Sequence, residues 1–386
     1  MPRRLLVCCD GTNNQFGTRN TNVVRLVQVL AESPSLQQLV FYEPGVGTMP
    51  EPDVRTRIGR KVAKLVDFAF ATGLPGKVQR AYTYLMDVWE PGDEVFLFGF
   101  SRGAYTARVL AGWLHLMGLL PPRSQNLVPY AWRLFAASRR GQEGEDDPYW
   151  RLCSQFRATF ARPIKGSEHR HFPIRFLGLW DTVSSVGWIW DPKTFPYTAK
   201  NPGIAKVRQA IALDERRAFY RQNRLQPVAG QDFDEVWFAG AHSDIGGGYP
   251  EDEGGLWAPP FQWIVQAARD AGLEVCPARL AKVLDRARTL SGQADVHTSL
   301  YDGWWLLEVL PKIRDGRPHL NLGRRRRIRE GTQLHHSLAA LIHGGEYAPQ
   351  NLSPTFRAAM RNQLPPGNVA YASSPVHAEG RRAAQR

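Results

Sequence analysis

With 386 residues, 43% of them hydrophobic and 22% charged, and with 12 Trp and 18 Phe, the chain has the composition of a packed globular protein and not of a disordered or fibrous one. Its formal net charge of +13 implies attraction to anionic surfaces such as phospholipid headgroups, nucleic acid or acidic partners. Four cysteines without metal-ligand spacing exclude a disulfide framework.

The N-terminus offers only a five-residue apolar run before Asp10, too short for the core of a secretory signal. Val109 to Pro122 lacks formal charge but ends in two prolines, so no stretch reaches transmembrane length. A soluble protein is expected, cytoplasmic as synthesised, and exported without a removable signal if it is exported. Nearly continuous apolar runs follow at Arg4 to Cys9, Leu39 to Tyr42, Glu94 to Phe100, Ile174 to Trp180 and Glu235 to Ala239, each the pattern of a strand buried on both faces. Cys8 and Cys9 read as small buried residues of the first. Helical periodicity fills the intervals: Thr21 to Leu30 behind a Thr21/Asn22 cap, about Gly76 to Trp89, and a helix starting just after Ser101. This alternation predicts an α/β protein, a mostly parallel sheet with helices on both faces, in the order of an α/β-hydrolase core.

From about 121 to 170 bulky aromatics surround a very polar stretch, which predicts either a cap-like insertion over the site or a peripheral packing layer. Residues 1–350 are expected to form the catalytic domain, and 351–386 a C-terminal extension, partly disordered. The dense run Arg324, Arg325, Arg326, Arg327 and Arg329 predicts either a solvated face that meets an anionic membrane or a strand paired with the protein's own acids.

Gly99-Phe100-Ser101-Arg102-Gly103 sits between a buried strand and a helix, the context in which G-x-S-x-G presents a serine on a strained turn. Side chains at Gly99 or Gly103 would clash with the closely approaching backbone. A serine hydroxyl needs a histidine base oriented by a carboxylate. Asp181 and His242 each end a later predicted strand, expected beside the nucleophile strand, and give the chain order Ser, Asp, His. A rival set uses Asp244 with His336 or His297. Oxyanion donors are expected from the N–H after the nucleophile, at Arg102, and from the loop Asp10-Gly11-Thr12-Asn13-Asn14, with Gly11 and Thr12 against the substrate. Asp10 serves equally well as a loop cap, and no dense ligand spacing supports a metal.

Taken together, Cys9-Asp10-Gly11-Thr12-Asn13-Asn14, Gly99 to Tyr105, Gly178-Leu179-Trp180-Asp181-Thr182-Val183, Ala212-Leu213-Asp214-Glu215-Arg216-Arg217, Gly240 to Tyr249 and His336-Ser337 resemble, in that order, the catalytic-domain family of type VI secretion phospholipase effectors. The resemblance implies a lipolytic serine hydrolase that cleaves acyl chains from glycerophospholipids without cofactor or metal. It also implies a secretion-apparatus or immunity partner, and no nucleic acid. At Gln209 the chain departs from the histidine that family members often carry. An esterase or thioesterase acting on a soluble acyl substrate is the second reading. A non-catalytic binding protein with the same fold and a basic surface is the third.

Overall fold

The computed structural model describes residues 2–11, 16–31, 37–45, 73–138, 147–164, 171–183, 187–188, 191–192, 194–220, 222–250, 253, 255–290, 296–300, 308, 312–314, 317–345 and 347–372. Eight strands make one sheet: β1 (Arg4–Cys9), β2 (Gln38–Glu43), β3 (Glu94–Phe100), β4 (Ile174–Trp180), β5 (Ile204–Ala212), β6 (Asp232–Phe238), β7 (Gln333–Leu334) and β8 (Val369–Ala370). Their spatial order is β8-β7-β6-β5-β4-β3-β1-β2, and every neighbouring pair is parallel except β7 with β8.

Alternation of side chains along a strand divides the core in two. On one face Leu5, Val7, Leu97 and Leu177 pack under helices α2 (Leu74–Val88) and α3 (Arg102–Met117). On the other, Leu6, Cys8, Phe98 and Phe176 meet α1 (Asn22–Val29). The same face carries two later helices, which follow α4 (Val128–Ala136), α5 (Pro148–Phe160) and the short α6 (His242–Gly246): α7 (Ala258–Asp270) and α8 (Pro277–Leu290). Thr21 caps α1 as expected, its Oγ1 accepting from Val24 N at 3.3 Å. Every residue of α3 is buried, so the helix behind Ser101 is held on all sides and its first turn has a fixed position.

One central strand was not expected from the sequence. β5 is a central strand that no continuous apolar run announces, because Lys206, Arg208 and Gln209 interrupt it. Cross-strand acids satisfy the two cations, with Arg208 at 2.7 Å from Asp232 and 3.3 Å from Asp234, and Lys206 at 3.3 Å from Asp232. As a result β4 and β5 both lie between β3, which leads to Ser101, and β6, so the strand that leads to His242 is not the neighbour of β3.

The aromatic segment after residue 121 supplies α4 and α5, which pack as an outer layer on α2 and α3. Trp132 meets Trp113 at 5.3 Å between ring centroids, and Phe135 stacks on Phe195 at 5.7 Å. Residues 139–146 and 165–170 of that segment lie outside the described residues.

The expected boundary near residue 350 is crossed by the packed core. Leu352, Phe356 and Tyr371 bury against Trp237 and Leu334 together with α9 (His336–His343), and α10 (Pro354–Asn362) leads into β8 at the sheet edge. Among the described residues no helix is long and apolar enough to cross a membrane.

The junction of β3 with α3 is the tightest backbone approach in this architecture. A Cβ on Gly103 would stand 2.2 Å from Cys9 O, and one on Gly99 2.6 Å from Ala104 N. Neither obstacle is a side chain that can swing away. Gly103→Ala is therefore expected to cost about 1–3 kcal/mol, as an overpacked contact does. Denaturant unfolding of the variant beside wild type measures this, and an unchanged midpoint would contradict the close approach.

Candidate active site

The chain runs from β1 to β2 in one direction and from β3 to β4 in the other, so the C-terminal edge between β1 and β3 is a switch point of the sheet, where a crevice opens. Ser101 stands there with φ 59° and ψ −124°. This is a strained conformation for a residue with a side chain, and such strain costs about 1–3 kcal/mol. Neighbouring backbone holds it: Ser101 N donates to Trp180 O at 3.0 Å, and Ser101 O accepts from Val183 N at 3.2 Å and from Tyr105 N at 3.3 Å. Trp180 and Val183 flank Asp181, so the same bonds that fix the serine turn fix the end of β4.

Asp181 also has a positive φ, 38°. Its N–H donates to Ala210 O at 2.8 Å, and its Oδ1 accepts from Ala212 N at 3.0 Å. Its Oδ2 lies 2.6 Å from His242 Nδ1, with both side chains almost completely buried. A carboxylate only accepts, so the Nδ1 of His242 carries the proton and Nε2 presents its lone pair. The fork of Arg326 grips the same carboxylate, Nη1 to Oδ1 and Nη2 to Oδ2 at 3.1 Å. The same two nitrogens also donate to backbone, Nη1 to Ala212 O at 3.1 Å and Nη2 to Tyr220 O at 2.6 Å.

Burial by itself would raise the pKa of Asp181, but the Arg326 charge and the His242 hydrogen bond outweigh it and hold the carboxyl well below the usual range. For His242 burial dominates and lowers the pKa, with Asp181 opposing in part.

The imidazole is wedged between two rings, stacked on Phe100 at 4.6 Å and meeting Tyr220 edge-on at 4.6 Å. Phe100 is the residue before Ser101, so the imidazole rests on the serine turn itself. Among the described residues Ser101 Oγ and His242 Nε2 make no hydrogen bond to one another. Catalytic contacts of this kind tighten in the complex with substrate.

The backbone of His242 is positioned by a segment for which sequence reasoning assigned no role. Glu215 Oε2 accepts from His242 N at 3.2 Å, while Arg217 grips Glu215 at 2.9–3.0 Å. Burial would raise the Glu215 pKa, but Arg217 brings it down to about 2. Next to it, Asp214 N donates to Gly240 O at 3.0 Å and Asp214 Oδ2 accepts from Gly240 N at 2.9 Å. The motif Ala212 to Arg217 is thus the clamp on the histidine loop. Gln209 fills a polar slot between Thr182 Oγ1, 2.7 Å from its Oε1, and Glu235 Oε2, 2.9 Å from its Nε2.

Of the two rival pairings, one is formed and one is not. Asp244 has a histidine partner, His297 Nδ1 at 2.6 Å, and His297 stacks on Tyr249 at 3.8 Å. His336 is not that partner. It begins α9, is exposed, takes Asn368 Oδ1 on its N–H at 3.2 Å and leans on His335. The pairing of Asp244 with His336 is therefore overturned: α9 starts at the far edge of the sheet, after β7, and Asp244 is already engaged.

Arg102 opens α3, where a first-turn N–H has no carbonyl of its own helix to meet. Gly11 departs from expectation, since its N–H donates to Asp10 Oδ1 at 2.7 Å and in this conformation is not offered to a substrate oxyanion. Thr12, Asn13 and Asn14 lie outside the described residues. Asp10 acts as a loop anchor, accepting from Tyr42 OH at 2.7 Å and from Thr21 Oγ1 at 2.8 Å, with burial raising its pKa to about 6 against those bonds. Among the described residues no group of three or more side chains could hold a metal ion.

The arginine run splits by position. Arg326 is buried on Asp181 and Arg325 lies 3.6 Å from Asp214, while Arg324, Arg327 and Arg329 are exposed. The expectation of one uniform solvated face holds for the last three alone.

Comparison with known proteins adds a family to this geometry. The family model described as T6SS, phospholipase effector Tle1-like, catalytic domain, matches residues 3–267. An uncharacterized protein of Saccharomyces cerevisiae, YEL023C, is 34% identical over 232 residues, which is 58% of this chain and 33% of that protein. Of solved structures, an uncharacterized protein from Pseudomonas aeruginosa is similar with a TM-score of 0.43 and 19% identity, over 75% of this chain and 49% of the other. The Tle1 effector bound to the VgrG spike of the type 6 secretion system is similar with a TM-score of 0.36 and 20% identity, over 66% of this chain and 52% of the other. The chain thus spans a third of the yeast relative and about half of each solved structure.

Removing Arg326 leaves a buried carboxylate without its counter-charge, so Arg326→Met is expected to cost about 3–5 kcal/mol. Arg327→Gln, one residue further but exposed, is expected to stay within about 0.5 kcal/mol. Chemical denaturation of the two variants side by side measures the difference, and equal stabilities would refute the burial of the 326 guanidinium.

Proposed function

Because the chain belongs to the T6SS phospholipase effector Tle1-like catalytic-domain family, we propose that it hydrolyses an acyl ester of glycerophospholipids with Ser101 as nucleophile, His242 as base and Asp181 as the orienting acid. The observation that carries this reading is the buried Asp181–His242 pair resting on Phe100 at the same sheet edge as the strained Ser101 turn. The family's description as effectors supports a secretion-apparatus partner within the same proposal.

In this mechanism Ser101 Oγ attacks the ester carbonyl as its proton passes to His242 Nε2. Asp181 stabilises the resulting imidazolium through Nδ1, and Arg326 keeps Asp181 ionised so that the carboxylate never competes for the proton. The N–H of Arg102 faces the developing oxyanion, where a preorganised donor is worth roughly 3–4 kcal/mol of barrier. Collapse transfers the proton from Nε2 to the departing glycerol oxygen, releasing a lysophospholipid. Water activated by the same imidazole then frees the fatty acid from the acyl-serine.

Two outcomes test the assignment. Ser101→Ala is expected to lower phospholipid turnover by about 10³-fold or more with an unchanged circular dichroism spectrum. Residual activity within tenfold of wild type would remove Ser101 from the nucleophile role. The pH profile gives the second test. A base whose pKa is lowered keeps its neutral, competent form to more acid pH, so the acid limb of kcat/KM should fall below about pH 6.5, the ordinary histidine value. A limb above that value would mean that the base is not this buried imidazole.

A further inference from the structure

Between the segments 215–227 and 320–329 lies a cavity of about 1100 Å³ whose lining includes eight arginines and one acid, Glu215. Arg217, Arg224, Arg325 and Arg326 have acid partners in Glu215, Glu235, Asp214 and Asp181. Arg216, Arg324, Arg327 and Arg329 have none among the described residues, so this wall carries four cations without internal compensation. Two buried donors on lining residues, Arg326 Nε and Gln222 Nε2, also have no acceptor among the described residues. Planar guanidinium forks matched to several oxygens are the chemistry of phosphate recognition.

Two neighbours say which phosphate. Tyr220 lines the cavity and sets its ring edge on His242, so the basin and the catalytic imidazole share a wall. Leu320, 46% exposed, lines the cavity with the arginines, and Leu322, 50% exposed, lies two residues before Arg324 in the chain, a pairing of apolar and cationic side chains that suits a lipid–water interface.

We infer that this arginine basin seats the phosphate of the phospholipid headgroup while the acyl ester is presented to Ser101. The inference rests on the phospholipid reading of the active site and adds to it the part of the substrate that is recognised and the residues that recognise it. A phosphate-free ester gains nothing from the basin, whereas a glycerophospholipid does.

The test is the triple variant Arg324→Gln/Arg327→Gln/Arg329→Gln, all exposed positions away from the triad. With short-chain phosphatidylglycerol its KM should rise by about tenfold or more with kcat little changed, and turnover of p-nitrophenyl butyrate should stay within about twofold. The corresponding triple lysine variant should recover part of the KM. In the Ser101→Ala background, inorganic phosphate should raise the unfolding temperature and the triple glutamine change should abolish that rise. An unchanged KM for phosphatidylglycerol, or an equal loss on the neutral ester, overturns the inference. So does a phosphate effect that survives in the triple variant. Tight oligonucleotide binding lost in the variant while the lipid KM holds would assign the basin to nucleic acid and overturn it as well. Should wild type hydrolyse no ester at all, the reading of the active site fails, and the phosphate measurement still decides whether the basin binds an anion.

Discussion

A carboxylate buried as deeply as Asp181 survives in ionised form only with a counter-charge and with every lone pair engaged, and Arg326 supplies the first while Ala212 N and His242 Nδ1 complete the second. Much of the remaining site follows from that requirement. The guanidinium must reach the end of β4 from a segment 145 residues later in the chain, so the segment after residue 320 is drawn in against β5 and Tyr220. Tyr220, fixed by its carbonyl, closes the outer side of the imidazole, and Phe100 closes the inner side. A second buried pair of the same kind, Glu215 with Arg217, holds the backbone of His242. Two acid–arginine pairs therefore set His242, one through its ring and one through its main chain.

The parts of this arrangement that depend on hydrophobic burial were legible in the sequence. β1, β3 and β4 coincide with continuous apolar runs because both faces of each strand are covered, and Gly99 and Gly103 mark the close approach of strand and helix that the structure contains. β5 was not legible. Its polar residues break the apolar pattern, since their partners Asp232, Asp234 and Glu235 lie on a neighbouring strand that a linear pattern does not reveal. β7 and β8 were too short to announce themselves, at two residues each, and they are held by the aromatic and aliphatic cluster around Trp237.

For the site, chain order and strand ends were enough to single out Asp181 and His242, which the structure joins by a hydrogen bond. The same logic also offered Asp244 as the rival acid, and the structure gives it a histidine of its own. Arg326 was hidden inside a run of identical residues. The one available signal was Ile328 two positions on: in an extended segment 326 and 328 share a face, and that face is buried while Arg327 and Arg329 are exposed. Glu215 stood in a motif that carried the family resemblance, but its task, accepting from the N–H of His242, is a main-chain contact with no sequence signature.

The distance along the chain between Asp181 and its counter-charge bears on how the protein matures during synthesis. Ribosomes release a chain from its N-terminus, and domains fold as their parts emerge. A nascent chain that has reached residue 300 already contains Ser101, Asp181 and His242, yet lacks the guanidinium that lets the acid stay charged while buried. Contacts closed over such long loops form late. The Asp181–His242 arrangement therefore matures as one of the last events of folding, in step with the docking of β7 and α9, and a partly made chain has Ser101, Asp181 and His242 without the electrostatics that fix them in place.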